Sequence, residues 1–189
     1  MKSSPAPARW SPDRLDVKSL ARSEGRLDGD TSLDHFERLL QAVYTPDGPA
    51  AGLGVHWQAR AELRPDAQGQ DTEIWLHLEA SATLPLQCQR CLGPVPVPLV
   101  VDRWFRFVVD EATAENEDDD SEEDLLVLQP SMSLFELIED ELLMAFPLVP
   151  MHDSCPDGVV LRSGDAAMAD PPSPMEKVNP FAVLAQWKK

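Results

Sequence analysis

Between residues 53 and 109 the chain alternates apolar and polar residues in three long runs, and this period of two restricts its fold more than any other feature. Leu53, Val55, Trp57, Ala59, Ala61 and Leu63 alternate with Gly54, His56, Gln58, Arg60 and Glu62. Ile74, Leu76, Leu78, Ala80, Ala82, Leu84 and Leu86 share one face of the next run. Val95, Val97, Leu99, Val101, Phe105, Phe107 and Val109 share one face of the third, with Arg103 the single exception. Successive strand residues point to opposite faces, so such runs predict antiparallel strands with one face on a core and one in solvent. Pro94, Pro96 and Pro98 lack ladder donors and mark the start of the third strand as an edge. The expected class is α+β: an antiparallel β-sheet or partly closed barrel with a few flanking helices and flexible acidic and C-terminal segments.

Outside the strands the pattern turns helical. Leu33, Phe36, Leu39, Leu40 and Val43 predict a helix over 31–43, capped by Thr31 or Ser32. Ser133 and Glu136 form a capping box before Leu134, Leu137, Ile138, Leu142 and Ala145, and Pro147 ends that helix. The segment LLVL at 125–128 reads as a short strand. Residues 1–30 read as an N-terminal extended segment, 31–155 as the α+β core domain, 156–178 as a flexible linker and 179–189 as a short C-terminal helix. With 189 residues the chain is long enough for one good core.

The formal net charge of -17 is local in origin. From Asp110 to Glu141 there are fourteen acids and no Lys or Arg, while the remainder has nineteen acids against sixteen bases. Residues 111–124 read as a solvated acidic loop kept extended by self-repulsion. A strongly acidic chain argues against phosphate binding as the main activity, since that rests on Lys and Arg. No apolar run approaches the ~20 residues of a membrane span. The opening MKSSPAPARWSPDR lacks the apolar stretch of a secretory signal, so the expected compartment is the cytoplasm, where thiols stay reduced or bind metal.

The stretch LQCQRCLGPVPVPL places Cys88 and Cys91 in the connection between the second and third strands, followed by Gly93. Two thiolates at that spacing have the form of a zinc knuckle, with amides of the turn aimed at the sulfurs. His152 and Cys155 repeat the spacing and complete a possible three-Cys, one-His set. The competing reading is a pair of reduced thiols in a structural turn without a ligand. Redox catalysis is disfavoured, because it wants the pair at a helix N-terminus and prolines follow instead.

No catalytic set assembles among the histidines, and no phosphate-binding glycine loop is present. Glu136, Glu139, Asp140 and Glu141 form an acidic helix face suited to a basic partner, or simply a solvated face. Phe181, Leu184 and Trp187 line one side of the last helix, which suits either a docking peptide or packing on the chain's own sheet. Arg60, Arg90, Arg103 and Arg106, with outward Trp75 and Trp104, are the candidate RNA contacts.

At CQRC, IEDELLMAFPLVPMHDSC and NPFAVLAQWKK, in that order, the chain resembles the YceD family of large ribosomal RNA subunit accumulation proteins. The resemblance implies a non-enzymatic role in synthesis, processing or stability of 23S rRNA, with a large-subunit ribosomal protein or pre-rRNA as partner. The alternative is a zinc- or thiol-dependent rRNA-processing enzyme. Some relatives carry a second cysteine pair where this chain has His152 and Cys155, so a structural zinc here needs His152 as its fourth ligand.

Overall fold

The computed structural model describes residues 10–156, apart from 47, 49–51, 67–68, 70–71 and 119–120. The linker and C-terminal helix expected at 156–178 and 179–189, including Phe181, Leu184 and Trp187, lie outside the described residues except for Pro156. In chain order the elements are α1 (Val17–Arg22), β1 (Arg26–Ser32), a short 3-10 turn (Leu33–His35), α2 (Glu37–Ala42), β2 (Gly54–Pro65), β3 (Thr72–Gln87), β4 (Pro94–Val108), α3 (Glu111–Glu117), β5 (Asp124–Val127) and α4 (Leu134–Met144). The class is α+β, as the alternation predicts.

Among the described residues, five strands form one open sheet in the order β1-β2-β3-β4-β5. The first four are antiparallel neighbours, and β5 joins β4 in parallel. The period-two runs are β2, β3 and β4, and most of their apolar residues face a shared core, whereas Leu63 near the end of β2 and Val109 just past β4, expected on the same face, are exposed. Leu76, Leu78 and Leu84 on β3, Leu99 and Phe105 on β4, and Leu134, Ile138 and Leu142 on α4 are all buried there. β5 pairs with Phe105–Val108 alone, so the proline-bearing start of β4 is an edge, as expected.

Three expectations need correction. The 1–30 segment is not simply extended: Leu15, Val17, Leu20 and Ala21 are buried, and β1 pairs along β2. Leu15 also exchanges backbone hydrogen bonds with Met132, at 2.8 and 3.0 Å. A six-residue helix capped by the Asp16 carboxylate is too short to show a convincing period, and its Lys18 and Arg22 are exposed. The helix expected over 31–43 is broken, because Thr31 and Ser32 still pair with Val55 and Gly54 and the Leu33 amide donates to Leu53 O at 3.0 Å. The acidic loop at 111–124 begins instead as α3. The Asp110 carboxylate accepts from the Thr113 amide (2.8 Å) and hydroxyl (2.7 Å), which nucleates the helix and holds that carboxyl below its usual pKa.

Glycine matters most at Gly29, opposite Trp57, where a Cβ would meet the indole at 3.0 Å. The ring can therefore lie flat against β1 while its Nε1 donates to Thr31 Oγ1 at 2.8 Å. Phe135 from α4 meets the same ring edge-on at 5.7 Å.

The acidic face of α4 divides. Glu139 and Glu141 are only 7% and 5% exposed. Helix α2 is preceded by Phe36 at its N-cap, which offers no capping side chain, and Glu139 supplies the missing acceptor. Its Oε1 accepts the amides of Arg38 (2.7 Å) and Leu39 (3.2 Å), and its Oε2 accepts Arg38 Nε at 2.8 Å. We expect Glu139→Ala to leave the buried Leu39 amide and the part-buried Arg38 amide without an acceptor, costing about 2–4 kcal/mol in urea unfolding. Glu139→Gln, which keeps an acceptor, should cost clearly less.

Candidate metal centre and charged surfaces

The β3–β4 hairpin ends in a tight connection built around its cysteines. Cys88 is fully buried, its amide donates to Gly93 O at 2.9 Å, and the Leu92 amide donates back to Cys88 O at 2.8 Å. Gly93 closes this connection, but its left-handed residue is Leu92, at φ 60°. That position carries strain, because a Cβ crowds the following carbonyl.

Helix α4 returns the chain to this tip. After Ala145 and Pro147 the backbone runs back along the connection, and the Gln89 amide donates to Pro150 O at 2.9 Å. This return explains how a gap of some 60 residues can close on one point: His152 and Cys155 arrive beside Cys88 and Cys91. The four donor atoms lie within 4.8 Å of one another. Cys88 Sγ is 4.0 Å from Cys155 Sγ, and Cys91 Sγ is 3.4 Å from His152 Nδ1. A tetrahedral ion held by sulfur at about 2.3 Å sets sulfurs about 3.8 Å apart, and sulfur from imidazole nitrogen about 3.5 Å apart. The residues therefore fit a small soft cation.

The surroundings fit one too. His152 Nε2 lies 3.1 Å from Pro94 O, so a proton there leaves Nδ1 free to bind on the cysteine side. Burial alone would raise the Cys88 pKa, but the amides of Cys91, His152 and Arg90 and the His152 side chain outweigh it and bring the thiol to about 5. At Cys91 the Gly93 amide favours thiolate, yet desolvation and the neighbouring Cys155 and Cys88 hold this thiol above its usual range. A thiolate beside other thiols is what a cation would relieve. Arg90, one of the candidate RNA contacts, is exposed, and its Nε donates to Cys155 Sγ at 3.2 Å and its terminal nitrogen to the carbonyls of His152 and Asp153. It thus straps the two halves together, and its positive charge would offset that of thiolates holding a divalent ion.

Other expected contacts are also engaged internally. Arg103 reaches Glu141 at 3.2 Å and Asp124 at 2.5 Å, tying β4 to α4 and β5. Burial keeps the Glu141 carboxyl above its usual pKa even though Arg103 opposes this. The lone arginine in an otherwise apolar strand face was the signal that a carboxylate would meet it. Arg106 is a hub, bound to Glu73 (3.2 Å), Glu117 (2.7 Å) and Glu123 (2.7 Å), with Ser121 at 2.9 Å. Arg60 remains exposed, its guanidinium 5.0 Å from the Trp104 ring centre. Arg64, which sequence reasoning passed over, lies 3.9 Å from Trp104 and 4.4 Å from Trp75. The tryptophan faces are thus covered by the chain's own arginines. Of the expected partner-binding acids, Glu139 and Glu141 are turned inward. Glu136 and Asp140 stay exposed, and Asp140 is paired with Arg38 at 2.5 Å. On the outer sheet face His77, 2.7 Å from Asp102 and stacked on Trp104 at 4.4 Å, makes a further close group with Glu79.

Fold and site define a small α+β protein in which a Cys3His group joins a hairpin tip to the exit of a helix. The chain belongs to the YceD family: residues 76–188 match the family model described as "Large ribosomal RNA subunit accumulation protein YceD". That region starts in β3 and includes all four cysteine-site residues. A curated relative of the same description, from Haemophilus influenzae, is 31% identical over 105 residues, which is 55% of this chain and 59% of the relative. No solved structure matches the chain.

Proposed function

We propose that this protein acts without catalysis of its own in the accumulation of large-subunit ribosomal RNA, by holding a basic large-subunit ribosomal protein during assembly. The family match over residues 76–188 carries the ribosomal part of this reading. The binding mode is supported by where the charge sits. Arg90, Arg103 and Arg106 are spent on internal contacts, whereas Glu111, Glu115 and Glu136 stay exposed with no cation paired to them among the described residues. A phosphate backbone wants the opposite arrangement. A basic protein segment wants this one, and its attraction should weaken as salt rises.

Cys88, Cys91, His152 and Cys155 would hold a structural zinc. When bound, the ion supplies a cross-link between the hairpin tip and the chain after α4, and with it folding free energy. Four protein donors fill a tetrahedral shell and leave no position for a reacting water. Native mass spectrometry should find one zinc per chain. The ion should be lost in Cys88→Ser/Cys91→Ser, whose unfolding temperature should fall to that of the chelated wild type. Wild type that carries no metal, and is unaffected by chelator, would return these residues to the thiol-turn reading.

The ribosomal role is tested by the ratio of 23S to 16S rRNA, with gradient profiles, in cells lacking the protein. A selective loss of 23S and of large subunits is expected. An unchanged ratio contradicts the reading.

A further inference from the structure

Among the described residues, the sheet is open at β5. In a parallel pair, alternate residues of a strand turn their backbone groups to one neighbour. The Leu128 amide donates to Val108 O at 2.8 Å, so Leu126 also faces β4, and the amides and carbonyls of Leu125 and Val127 point away from it. No described group takes up those outward amides. Exposed strand edges of this kind are templates for another strand.

Alongside the edge runs a groove of about 660 Å³ between α3, β5 and α4. Its floor includes Phe107, Leu126, Met132 and Leu137. Its rim carries Asp13, Glu111, Glu136 and Asp140, and no Lys or Arg lines it. Arg38 pairs with Asp140, but no cation is paired with the other three among the described residues.

We propose that this groove receives an extended basic segment of a protein partner, which adds to β5 as a sixth strand. Backbone groups of the segment pair with Leu125 and Val127. Its apolar side chains reach Leu126 and Leu137, and its Lys or Arg side chains reach the rim carboxylates. Strand addition gives the affinity, and charge selects the partner. RNA meets four carboxylates here, and a second copy of this chain would bring its own acidic window, so both are repelled. This inference rests on the basic-partner reading above and names the surface that does the holding.

The test titrates the full chain with a short alternating Lys/Val peptide, with the same peptide N-methylated on alternate residues, and with oligouridylate. Binding of the plain peptide should protect the Leu125 and Val127 amides from hydrogen exchange. N-methylation should weaken it about tenfold, as loss of one or two edge hydrogen bonds would. Val127→Pro should weaken it similarly. The Val127 amide faces away from β4, so the β4 ladder survives this change, as circular dichroism and β4 amide protection can verify. Glu111→Gln/Glu136→Gln keeps the edge and should lose affinity with a flatter salt dependence. Equal binding by the N-methylated peptide would overturn the proposal by showing charge attraction alone. Protection confined to other strands, no binding of the plain peptide, or a preference for oligouridylate would do the same. In cells whose 23S to 16S ratio falls without the protein, full complementation by Val127→Pro would reject the groove and leave the ribosomal role standing.

Discussion

The pairing of β3 with β4, running from Ile74↔Phe107 to Gln87↔Pro94, is the constraint on which the rest depends. Two strands of this length give the sheet a rigid axis with two distant ends. At one end the hairpin tip carries Cys88 and Cys91 and waits for the chain leaving α4. At the other, Arg106 gathers α3 and the segment before β5. Helix α4 lies across the core face between them, so a single helix positions both the second half-site and one wall of the acidic groove. The long hairpin thereby links a metal-binding geometry to a charged surface without either being built into the other.

Electrostatics follow from this layout. Arginines on β4 and at α2 hold carboxylates from distant parts of the chain, and each pair fastens an element that hydrophobic packing alone would leave loose. Glu139 is the clearest case, since it caps a helix whose own sequence provides no cap. Partly buried pairs of this kind resist salt screening better than exposed ones. Among the described residues, exposed acids without a paired cation include Glu111, Glu115, Asp118, Glu122 and Glu136 beside α3, β5 and α4, and also Glu24, Asp28, Asp34 and Glu37 on other elements.

The strands were legible because a half-buried strand must alternate, and Trp57 and the leucines of β3 lie inward as their spacing requires. Their order in the sheet and the parallel arrival of β5 were not, since period fixes a face but not a neighbour. Helix α1 was hidden by its length. Helix α3 was hidden by its charge, although Asp110 and Thr113 spelled out a cap. The donor set of the metal centre was visible as two repeated spacings, but its closure needed α4 to turn the chain back. That Leu92 rather than Gly93 takes the left-handed position, and that Arg90 straps the two halves of the site, depends on packing that local sequence does not encode.

A surface of this charge should meet a basic protein and not rRNA on the way to the large subunit. The most direct test places a photoreactive amino acid at Glu136 and crosslinks the protein within large-subunit precursors isolated from cells. Crosslinks to a Lys- and Arg-rich segment of a large-subunit ribosomal protein are expected. Crosslinks dominated by rRNA would contradict it.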